Sequence, residues 1–311
     1  MGDKVVLKVN NMDKSYGKTQ VLKDISFSIY ENEVVGLIGH NGAGKTTLIE
    51  SILGLRKGYK GRIEVFEKDI GEGSKGLKRK IGVQLQDSAI NGMMKVYECI
   101  EFQAAAFNVQ VDVDQLLEDF GLIEHKKKHF SKLSGGLQQR LFVLLSIVHN
   151  PSLIFYDELT TGLDQDARRG IYAYIRSLKE AGKTIFLSTH FMDETQIMCD
   201  RVIMLKSGRI IKNDSPQNLI DNLDYKYILS FSSSNGQEEI IESFRDIEDI
   251  SQILKEDISP LTYYMKVSTS PQLGRIRAKM ESSPEIYHSI KIRQASMVDV
   301  YDENYKKEGD L

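Results

Sequence analysis

The sequence is poor in cysteine and in long apolar runs, and it has little net charge of either sign. Only Cys99 and Cys199 are present, and their spacing matches no metal-binding or redox motif, which favours a reducing cytosolic setting. The longest apolar run, LFVLLSIV from Leu141 to Val148, is far shorter than the roughly 20 residues of a membrane-spanning helix. We therefore expect a chain that does not cross a membrane by itself.

The first residues and the net charge give no support for a secretory signal, for N-terminal myristoylation or for nucleic-acid binding. MGDKVVLKVN has no apolar signal core, and Val6 stands where a myristoylation motif needs Ser or Thr. The formal net charge of -3 over 311 residues gives no support for a nucleic-acid-binding surface. With 41% hydrophobic and 27% charged residues, the chain is expected to form one large or two modest globular domains.

Three short apolar runs predict buried parallel strands: EVVGLIG from Glu33, SLIFYDE from Ser152 and TIFLSTH from Thr184. Helical patterns alternate with them, and Gly182 is a plausible helix end before the third run. This alternation predicts an α/β domain. From about residue 87 to 150, apolar residues recur at helical spacing, which predicts a helical insert within that domain.

The pattern changes again beyond about Asn222. Strand-like and helix-like segments follow in the order KYILSFS, EEIIESF, IEDISQIL, TYYMKVST, QLGRIRAKM and EIYHSIKIR. The order β-α-β-β-α-β predicts a small ferredoxin-like α+β domain. We therefore predict two domains, at residues 1–221 and 222–311, and we interpret the acidic excess of the second as a solvated face.

GHNGAGKT, which begins at Gly39, fits the G-x-x-x-x-G-K-[ST] pattern between a strand and a helix. Its glycines let successive backbone N–H groups surround phosphate oxygens, and the helix adds its positive end. Lys45 is expected to reach the β and γ phosphates, and the Thr46 hydroxyl to ligate Mg²⁺. The predicted nucleotide-binding residues of this loop are Gly39, His40, Asn41, Gly42, Ala43, Gly44, Lys45, Thr46 and Thr47.

Two acidic residues, Asp157 and Glu158, end the strand SLIFYDE. The carboxyl ends of strands face the ligand crevice in open α/β sheets. We expect Asp157 to hold Mg²⁺ through water and Glu158 to orient or deprotonate an attacking water. Together with the phosphate loop, this pair predicts Mg-dependent hydrolysis of ATP.

A second anion-binding helix start is predicted at LSGGLQQR, which begins at Leu133. The phosphate loop, this segment and the acidic strand end follow one another in an order that is specific in combination. On these motifs the chain resembles, from about residue 8 to 220, the ATP-binding subunit of ABC transporters. The resemblance explains why one ATP site needs two helix N-termini. Such subunits work as head-to-tail pairs, so each site takes one helix N-terminus from each subunit.

In such a pair, the resemblance implies a trans role for Ser134, Gly135 and Gly136. These residues of one subunit would cap the γ-phosphate held by the phosphate loop of the other. The fixed dipoles of their N–H groups would then stabilise the negative charge of the phosphate. Asp164, in TTGLDQDARR, matches the loop that crosses the dimer interface. A homodimer is the preferred interpretation, and a heterodimer with a paralogous subunit stays open.

The resemblance also implies roles for single residues. Tyr16, in KSYGKTQVL, matches the aromatic residue that stacks on adenine, the alternative being an ordinary packed tyrosine. Gln86, in IGVQLQD, matches the glutamine that touches Mg²⁺ and senses the membrane partner, with Gln84 as the alternative register. His190, in LSTHFMDE, matches the histidine that contacts the γ-phosphate. The predicted catalytic set is then Glu158, His190, Lys45 and Gln86.

Three positions depart from the family pattern. Leu137 replaces the glutamine that commonly follows LSGG and reaches the partner's nucleotide sugar, so one polar contact is lost. We expect weaker closure around the nucleotide rather than inactivity. Leu159 and Gln165 stand where the family often has proline, which relaxes two rigid backbone points without removing a reactive group.

The implied partner is a separate membrane-spanning permease, docked around residues 87–107, with this chain peripheral at the cytoplasmic face of the membrane. The stretch that begins at Gly162 and the segment ASMVDVY resemble exporter ATPases of the drug and antibiotic-resistance group. Two alternatives stay open: an importer ATPase, or a soluble ABC ATPase that acts on DNA or ribosomes. The single set of motifs and the net charge argue against the second, and no nucleic-acid partner is expected.

Overall fold

The structure is a computed structural model that describes residues 4–70, 76–85, 90–245, 247, 253–256 and 262–305, with backbone only at 253–256. The chain divides into two compact units, Met1–Ser215 and Pro216–Leu311. The sequence placed this division after residue 221 instead. The helix that begins at Pro216 belongs to the second unit because Ile220 packs there against a small apolar cluster around Tyr225.

The first unit contains ten strands and six α-helices in its described residues. In chain order these are β1 (Val5–Tyr16), β2 (Thr19–Tyr30), β3 (Val34–Ile38), α1 (Lys45–Ile52), β4 (Tyr59–Val65), β5 (Lys68–Asp69), β6 (Ile81–Gln84), α2 (Val96–Phe107), α3 (Val113–Asp119), α4 (Gly135–Ile147), β7 (Leu153–Asp157), α5 (Gln165–Glu180), β8 (Thr184–Thr189), α6 (Met192–Met198), β9 (Arg201–Lys206) and β10 (Arg209–Asp214).

The central sheet has the strand order β10-β9-β3-β8-β7-β6, and only β10 runs antiparallel to its neighbour. The three apolar runs predicted as buried strands form β3, β7 and β8, and every residue of these strands is buried. Because β8 lies between the other two, Ile38 pairs with Thr189 and Asp157 pairs with Ser188. The carboxyl ends of β3, β8 and β7 therefore lie side by side.

Two apolar clusters cover this sheet. One joins the sheet to α1 and to the antiparallel sheet β2-β1-β4-β5, with Leu37 and Leu48 among its buried members. The other joins it to α2, α3, α4 and α5 through residues such as Ile100 and Leu144. In the described residues between β6 and β7, the regular elements are all helical. The prediction of an α/β domain with a helical insert is thus confirmed.

The second unit contains four strands and four helices in its described residues. These are α7 (Pro216–Asp221), β11 (Tyr227–Ser232), α8 (Gln237–Ser243), β12 (Ile253–Glu256), β13 (Thr262–Val267), α9 (Ser270–Glu281), β14 (His288–Gln294) and α10 (Met297–Tyr305). Its sheet has the order β12-β13-β11-β14 and is antiparallel throughout. This is the predicted ferredoxin-like arrangement, in which the first and third strands are neighbours at the centre.

Aromatic side chains build the core of the second unit. The Phe231 ring packs 5.5 Å from the rings of both Tyr263 and Tyr287, measured between centroids. Helix α10 is attached to the unit by the Arg293 guanidinium, which donates to both carboxylate oxygens of Asp299 at 2.7 Å. Since Asp299 is almost fully buried, removing Arg293 would leave a buried carboxylate without its ion-pair partner.

Candidate active site

The phosphate loop connects β3 to α1 and requires glycine at three points. Gly42 and Gly44 have φ angles of 81° and 108°, which side chains disfavour. A Cβ on Gly39 would lie 2.5 Å from the carbonyl oxygen of Leu205 on the neighbouring strand β9. The loop is therefore shaped by backbone demands, and it leaves His40 and Asn41 exposed while Ala43 is buried against the core.

Lys45 is the first residue of α1 and is nearly buried. Its Nζ donates to the carbonyl oxygen of Gly39 at 2.8 Å and lies 3.5 Å from that of His40, so the ammonium is held inside the loop. Burial lowers the pKa of Lys45, and the charges of Glu158 and Asp157 oppose this shift. The lysine and the two acids predicted from the end of β7 therefore lie within each other's electrostatic field.

Asp157 ends β7 with a side chain that is 1% exposed. The Ser188 hydroxyl donates to Oδ1, whereas Oδ2 has no hydrogen-bond partner among the described residues. Burial raises the pKa of Asp157, and the Glu158 charge adds to it, while Ser188, Thr46 and Lys45 act in the opposite direction. A buried carboxylate oxygen without a partner is costly, and a cation would satisfy it.

The donor set fits a hard divalent cation that is shared with a phosphate ligand. In the described part of the chain, no three His, Cys, Asp or Glu side chains cluster closely enough to hold a metal on their own. The site instead offers the oxygens of Asp157 and the hydroxyl of Thr46, and Mg²⁺ is characteristically held by one or two carboxylates together with substrate phosphates.

Glu158 follows the strand in a strained backbone conformation, with φ at 54°. Its N–H donates to the carbonyl oxygen of Ser188 at 3.2 Å and lies 3.1 Å from that residue's hydroxyl, which holds the turn against β8. The Thr161 hydroxyl donates to one carboxylate oxygen at 3.4 Å, and Nδ1 of His190 lies 3.9 Å from the other. The strain is thus balanced by contacts that direct the carboxylate toward His190.

His190 follows the last residue of β8, and its side chain is 40% exposed. Its ring packs 4.1 Å from the ring of Phe191, measured between centroids. Because β8 separates β3 from β7, the histidine lies at the same sheet edge as Lys45 and Glu158. The structure therefore brings together Lys45, Asp157, Glu158 and His190, although Lys45 precedes the other three by more than a hundred positions in the chain.

The predicted signature residues form a second helix start. Ser134 caps α4 and accepts a hydrogen bond from the N–H of Leu137 at 3.5 Å. A Cβ on Gly135 would meet open space, whereas one on Gly136 would lie 3.1 Å from Cβ of Ala167 in α5. Helix α4 packs on α2, α5 and β6, while α1 packs on β2 and β7. The two predicted anion-binding helix starts thus have different neighbours within one chain.

Asp164 caps α5, the helix beside the signature. Its Oδ1 accepts a hydrogen bond from the N–H of Ala167 at 2.8 Å. Because Gly136 approaches the same Ala167, the N-terminal turns of α4 and α5 lie next to each other. The signature and the predicted dimer-crossing loop therefore share one face of the unit.

Tyr16 ends β1 and is 42% exposed, which distinguishes it from a packed core tyrosine. Its hydroxyl accepts a hydrogen bond from the Arg56 guanidinium at 2.7 Å, and the Lys14 ammonium lies 4.8 Å from the ring centroid. The ring is therefore exposed in a positively charged environment, which suits a base that carries phosphates nearby.

Gln86 lies outside the described residues, so its predicted role stays a prediction. Gln84, the alternative register, is the last residue of β6 and is buried. Its Nε2 donates to the carbonyl oxygen of Leu85 at 3.2 Å, and its Oε1 has no partner among the described residues. This glutamine belongs to the interior rather than to an exposed ligand edge.

The three departures from the family pattern occupy different environments. Leu137 and Leu159 pack in the apolar cluster of the helical side, the first half-buried and the second 5% exposed. Gln165 is the first residue of α5, immediately after its cap. Leu159 is thus held by packing, which compensates for the backbone rigidity that a proline would supply.

One residue of the site was missed by sequence reasoning. Ser188 bonds the Asp157 carboxylate through its hydroxyl and also receives the N–H of Glu158. In the sequence it is one small polar residue in a buried strand, and only the pairing of β7 with β8 reveals its position. A serine two residues before the predicted histidine is a weak signal without that register.

Known proteins match this geometry. A family model described as ABC transporter matches residues 22–161. The linearmycin resistance ATP-binding protein LnrL of Bacillus subtilis is 31% identical over 276 residues, which cover 85% of this chain and 88% of that protein. The chain belongs to the ABC transporter ATP-binding proteins. The resemblance found in the sequence is thereby confirmed, and the chain is an ATP-hydrolysing subunit of the ABC type.

Further relatives of this ABC subunit agree. The Nod factor export ATP-binding protein I of Bradyrhizobium diazoefficiens is 36% identical over 214 residues, covering 67% of this chain and 70% of that one. Among solved structures, CbiO1 of Clostridium perfringens, described as part of the ABC transporter complex CbiONQ, has a TM-score of 0.64 at 27% identity. That similarity covers 78% of this chain and 95% of CbiO1. In the residues that the structure describes, no helix is both long and apolar enough to span a membrane.

Proposed function

We propose that this ABC subunit hydrolyses Mg-ATP in a head-to-tail pair and thereby drives export by a separate membrane-spanning permease. The observation that carries the proposal is the convergence of Lys45, Asp157, Glu158 and His190 at the ends of three adjacent strands. The printed names of the relatives, a resistance protein and an export protein, support export. The subunit would then lie peripherally at the cytoplasmic face of the membrane, without a nucleic-acid partner.

In this proposal each residue has a chemical task. Lys45 leaves the loop carbonyls and donates to the β and γ phosphates. Thr46 and, through water, Asp157 would hold Mg²⁺, which would supply positive charge opposite the phosphate oxygens. Glu158 orients the attacking water and accepts its proton, while His190 donates to the γ-phosphate. Tyr16 stacks on the adenine, and Gln86 would contact the metal. The exposed backbone of the loop from Gly39 to Thr47 surrounds the phosphates.

The second subunit completes the site. Ser134 and Gly135 are exposed at the start of α4, where the helix dipole favours an anion, yet α4 and α1 pack on different neighbours. We infer that Ser134, Gly135 and Gly136 cap a nucleotide bound by the other chain, and that Asp164 lies at the subunit boundary. Two copies of this chain would form two complete sites, so a homodimer is sufficient.

Mixing two defective chains tests this arrangement. One chain carries Lys45→Met, which removes the lysine of the phosphate loop. The other chain carries Ser134→Arg, which prevents its signature from capping the nucleotide of its partner. Each variant alone should hydrolyse ATP at a small fraction of the wild-type rate. Their mixture should regain phosphate release, because one of its two sites then combines an intact loop with an intact signature. The measurement is phosphate release from the mixture compared with that from each component.

The matched control mixes Lys45→Met with a chain that carries both substitutions. No intact loop is then present, so no recovery is expected. A mixture of the two single variants that stays as inactive as its components would contradict the head-to-tail site. Recovery in the control would show instead that the loop lysine is dispensable.

A groove in the first unit is the proposed docking place of the permease. It has a volume of about 950 Å³ and lies between the end of α1, the start of β6 and α2, which contributes Gln103 and Phe107. Leu55 and Val83 line it with side chains that are 61% and 38% exposed. Exposed apolar side chains in a concave site are typical of partner binding. The groove adjoins the docking region predicted at residues 87–107.

Introducing a charge into this groove should separate docking from catalysis. Leu55→Glu should reduce co-purification with membrane proteins from detergent-solubilised membranes, while hydrolysis by the purified subunit is retained. The physical reason is that a carboxylate buried against an apolar partner is desolvated without compensation. Val298→Glu on the exposed face of α10 is the control, since Val298 is exposed to 42% but lies in the second unit. If both variants co-purify equally well with membrane proteins, the groove is not the docking site. If nucleic acid co-purifies instead of a membrane protein, the chain is not a transporter subunit.

A further inference from the structure

A buried hydrogen-bond network surrounds the backbone of His190. Glu194, in the first turn of α6, is 1% exposed. The Thr189 hydroxyl donates to its Oε2 at 2.7 Å, and the Tyr172 hydroxyl donates to its Oε1 at 3.1 Å. The N–H of Phe191 donates to the Thr189 hydroxyl at 3.0 Å. The residues on both sides of His190 are therefore connected to one buried carboxylate.

A second set of contacts reaches the same histidine from the start of α5. The Arg168 guanidinium lies 3.8 Å from the ring centroid of Phe191, whose ring packs against His190. Its Nε donates to the carbonyl oxygen of Leu163 at 3.2 Å. Leu163 immediately precedes Asp164, the cap of α5. One side chain thus contacts both the loop before α5 and the aromatic residue beside His190.

Both sets of contacts originate on α5. Arg168 and Tyr172 are four residues apart, so they lie on the same face of the helix, one turn from each other. We propose that Arg168, Tyr172 and Glu194, here called the α5 brace, are positioning residues that couple the Asp164 loop to His190. The inference rests on the roles proposed above for Asp164 and His190 and goes beyond them, because it assigns the connection between them.

The chemistry of the brace makes the connection stiff. A buried carboxylate is stable only when its oxygens are hydrogen-bonded, and both oxygens of Glu194 are occupied. Burial raises the pKa of Tyr172, and the charge of Glu194 adds to it, so this hydroxyl keeps its proton and stays a donor. A shift of α5 away from α6 would remove the hydrogen bond to Oε1 of Glu194 and leave that buried oxygen without its donor. Displacement of the Asp164 loop by a second subunit would therefore move α5 and the His190 loop together.

Conservative substitutions in the full-length chain test the brace. Tyr172→Phe removes one hydroxyl, and Arg168→Lys keeps the charge but loses the planar group that both stacks and donates. We expect each to lower kcat for Mg-ATP by about tenfold and to leave KM within about twofold, since the lost interaction acts in the transition state. Tyr174→Phe and Arg169→Lys are the matched controls on the same helix, and their kcat should equal that of the wild type.

Combination with His190→Ala distinguishes positioning from a general structural loss. If the brace acts through the histidine, the double variant His190→Ala with Tyr172→Phe should hydrolyse ATP no more slowly than His190→Ala alone. Multiplying losses would overturn the brace. Wild-type rates in both Tyr172→Phe and Arg168→Lys, beside a slow His190→Ala, would also overturn it while leaving the role of His190 intact. A wild-type rate in His190→Ala would instead refute the proposed role of the histidine.

Discussion

The full-length chain with Glu158→Gln should bind Mg-ATP, hydrolyse it at least about a hundredfold more slowly and accumulate as a dimer. The carboxamide keeps the shape of the carboxylate but accepts no proton from the attacking water. The backbone N–H of residue 158 contacts Ser188 without involving the changed side-chain atoms. The turn after β7, in which this residue has a φ of 54°, should therefore persist. With the γ-phosphate left in place, the proposed contacts between two subunits should persist, and the closed state should become the populated one.

The measurement is phosphate release together with the mass in solution, with and without Mg-ATP. Glu180→Gln at the exposed end of α5 is the control, and it should hydrolyse at the wild-type rate and show no trapped dimer. An unchanged rate in Glu158→Gln would refute the role of this carboxylate. A monomer that binds ATP without turnover would contradict a self-sufficient homodimer, and it would indicate a paralogous subunit or a closure that needs the permease.

Lys45→Met should remove most of the affinity for nucleotide. Methionine fills a similar volume, so the main loss is the charge-assisted hydrogen bonding of a buried ammonium to phosphate oxygens, about 1.5–3 kcal/mol or roughly ten- to a hundredfold in Kd. The field of Glu158 and Asp157 adds to the effect, because without Lys45 two carboxylates face the incoming polyphosphate with one cation fewer. Hydrolysis should fall further than binding, since the transition state concentrates charge on the same oxygens.

Thermal unfolding with and without Mg-ATP measures this loss directly, because a ligand that binds only the folded state raises Tm according to its concentration relative to Kd. The wild-type chain should show a clear upward shift, and Lys45→Met should show little. Lys8→Met, at an exposed position of β1, is the matched control and should shift like the wild type. A full ATP-dependent shift in Lys45→Met would mean that the backbone of the loop, and not the lysine, supplies the binding energy.

Leu137, the departure beside the signature, bears on how tightly two subunits would close around a nucleotide. Leu137 is half-buried and packs against the apolar cluster of its own chain. It therefore supplies no polar contact to a partner's nucleotide, unlike the glutamine that is common at this position. Ser134 nevertheless still caps α4, so the N-terminus of this helix keeps its predicted anion-binding form. The expectation of weaker closure without loss of activity therefore stays consistent with the geometry, and the trapped dimer of Glu158→Gln is its direct measure.

Much of the site was predictable because its determinants are local. The phosphate loop needs glycine where φ is positive, and Gly42 and Gly44 satisfy that demand within a few residues of Lys45. The signature needs a capping serine followed by residues without side chains, as at Ser134 and Gly135. Such short-range rules leave a mark in the order of residues that can be read without coordinates. The strands β3, β7 and β8 were equally visible, since burial on both faces makes a run apolar throughout.

The sequence by itself therefore determined the family, the α/β class and the ferredoxin-like order of the second unit, and it predicted the residues that we propose to contact the nucleotide. Tertiary structure alone decided that β8 lies between β3 and β7, which brings Ser188 to Asp157 and His190 to Glu158. It alone assigned α7 to the second unit, through the packing of Ile220, and joined Tyr172 to Glu194. The physical reason is that strand neighbours and buried polar pairs are chosen by contacts between distant parts of the chain, and such contacts leave no periodic pattern in the sequence.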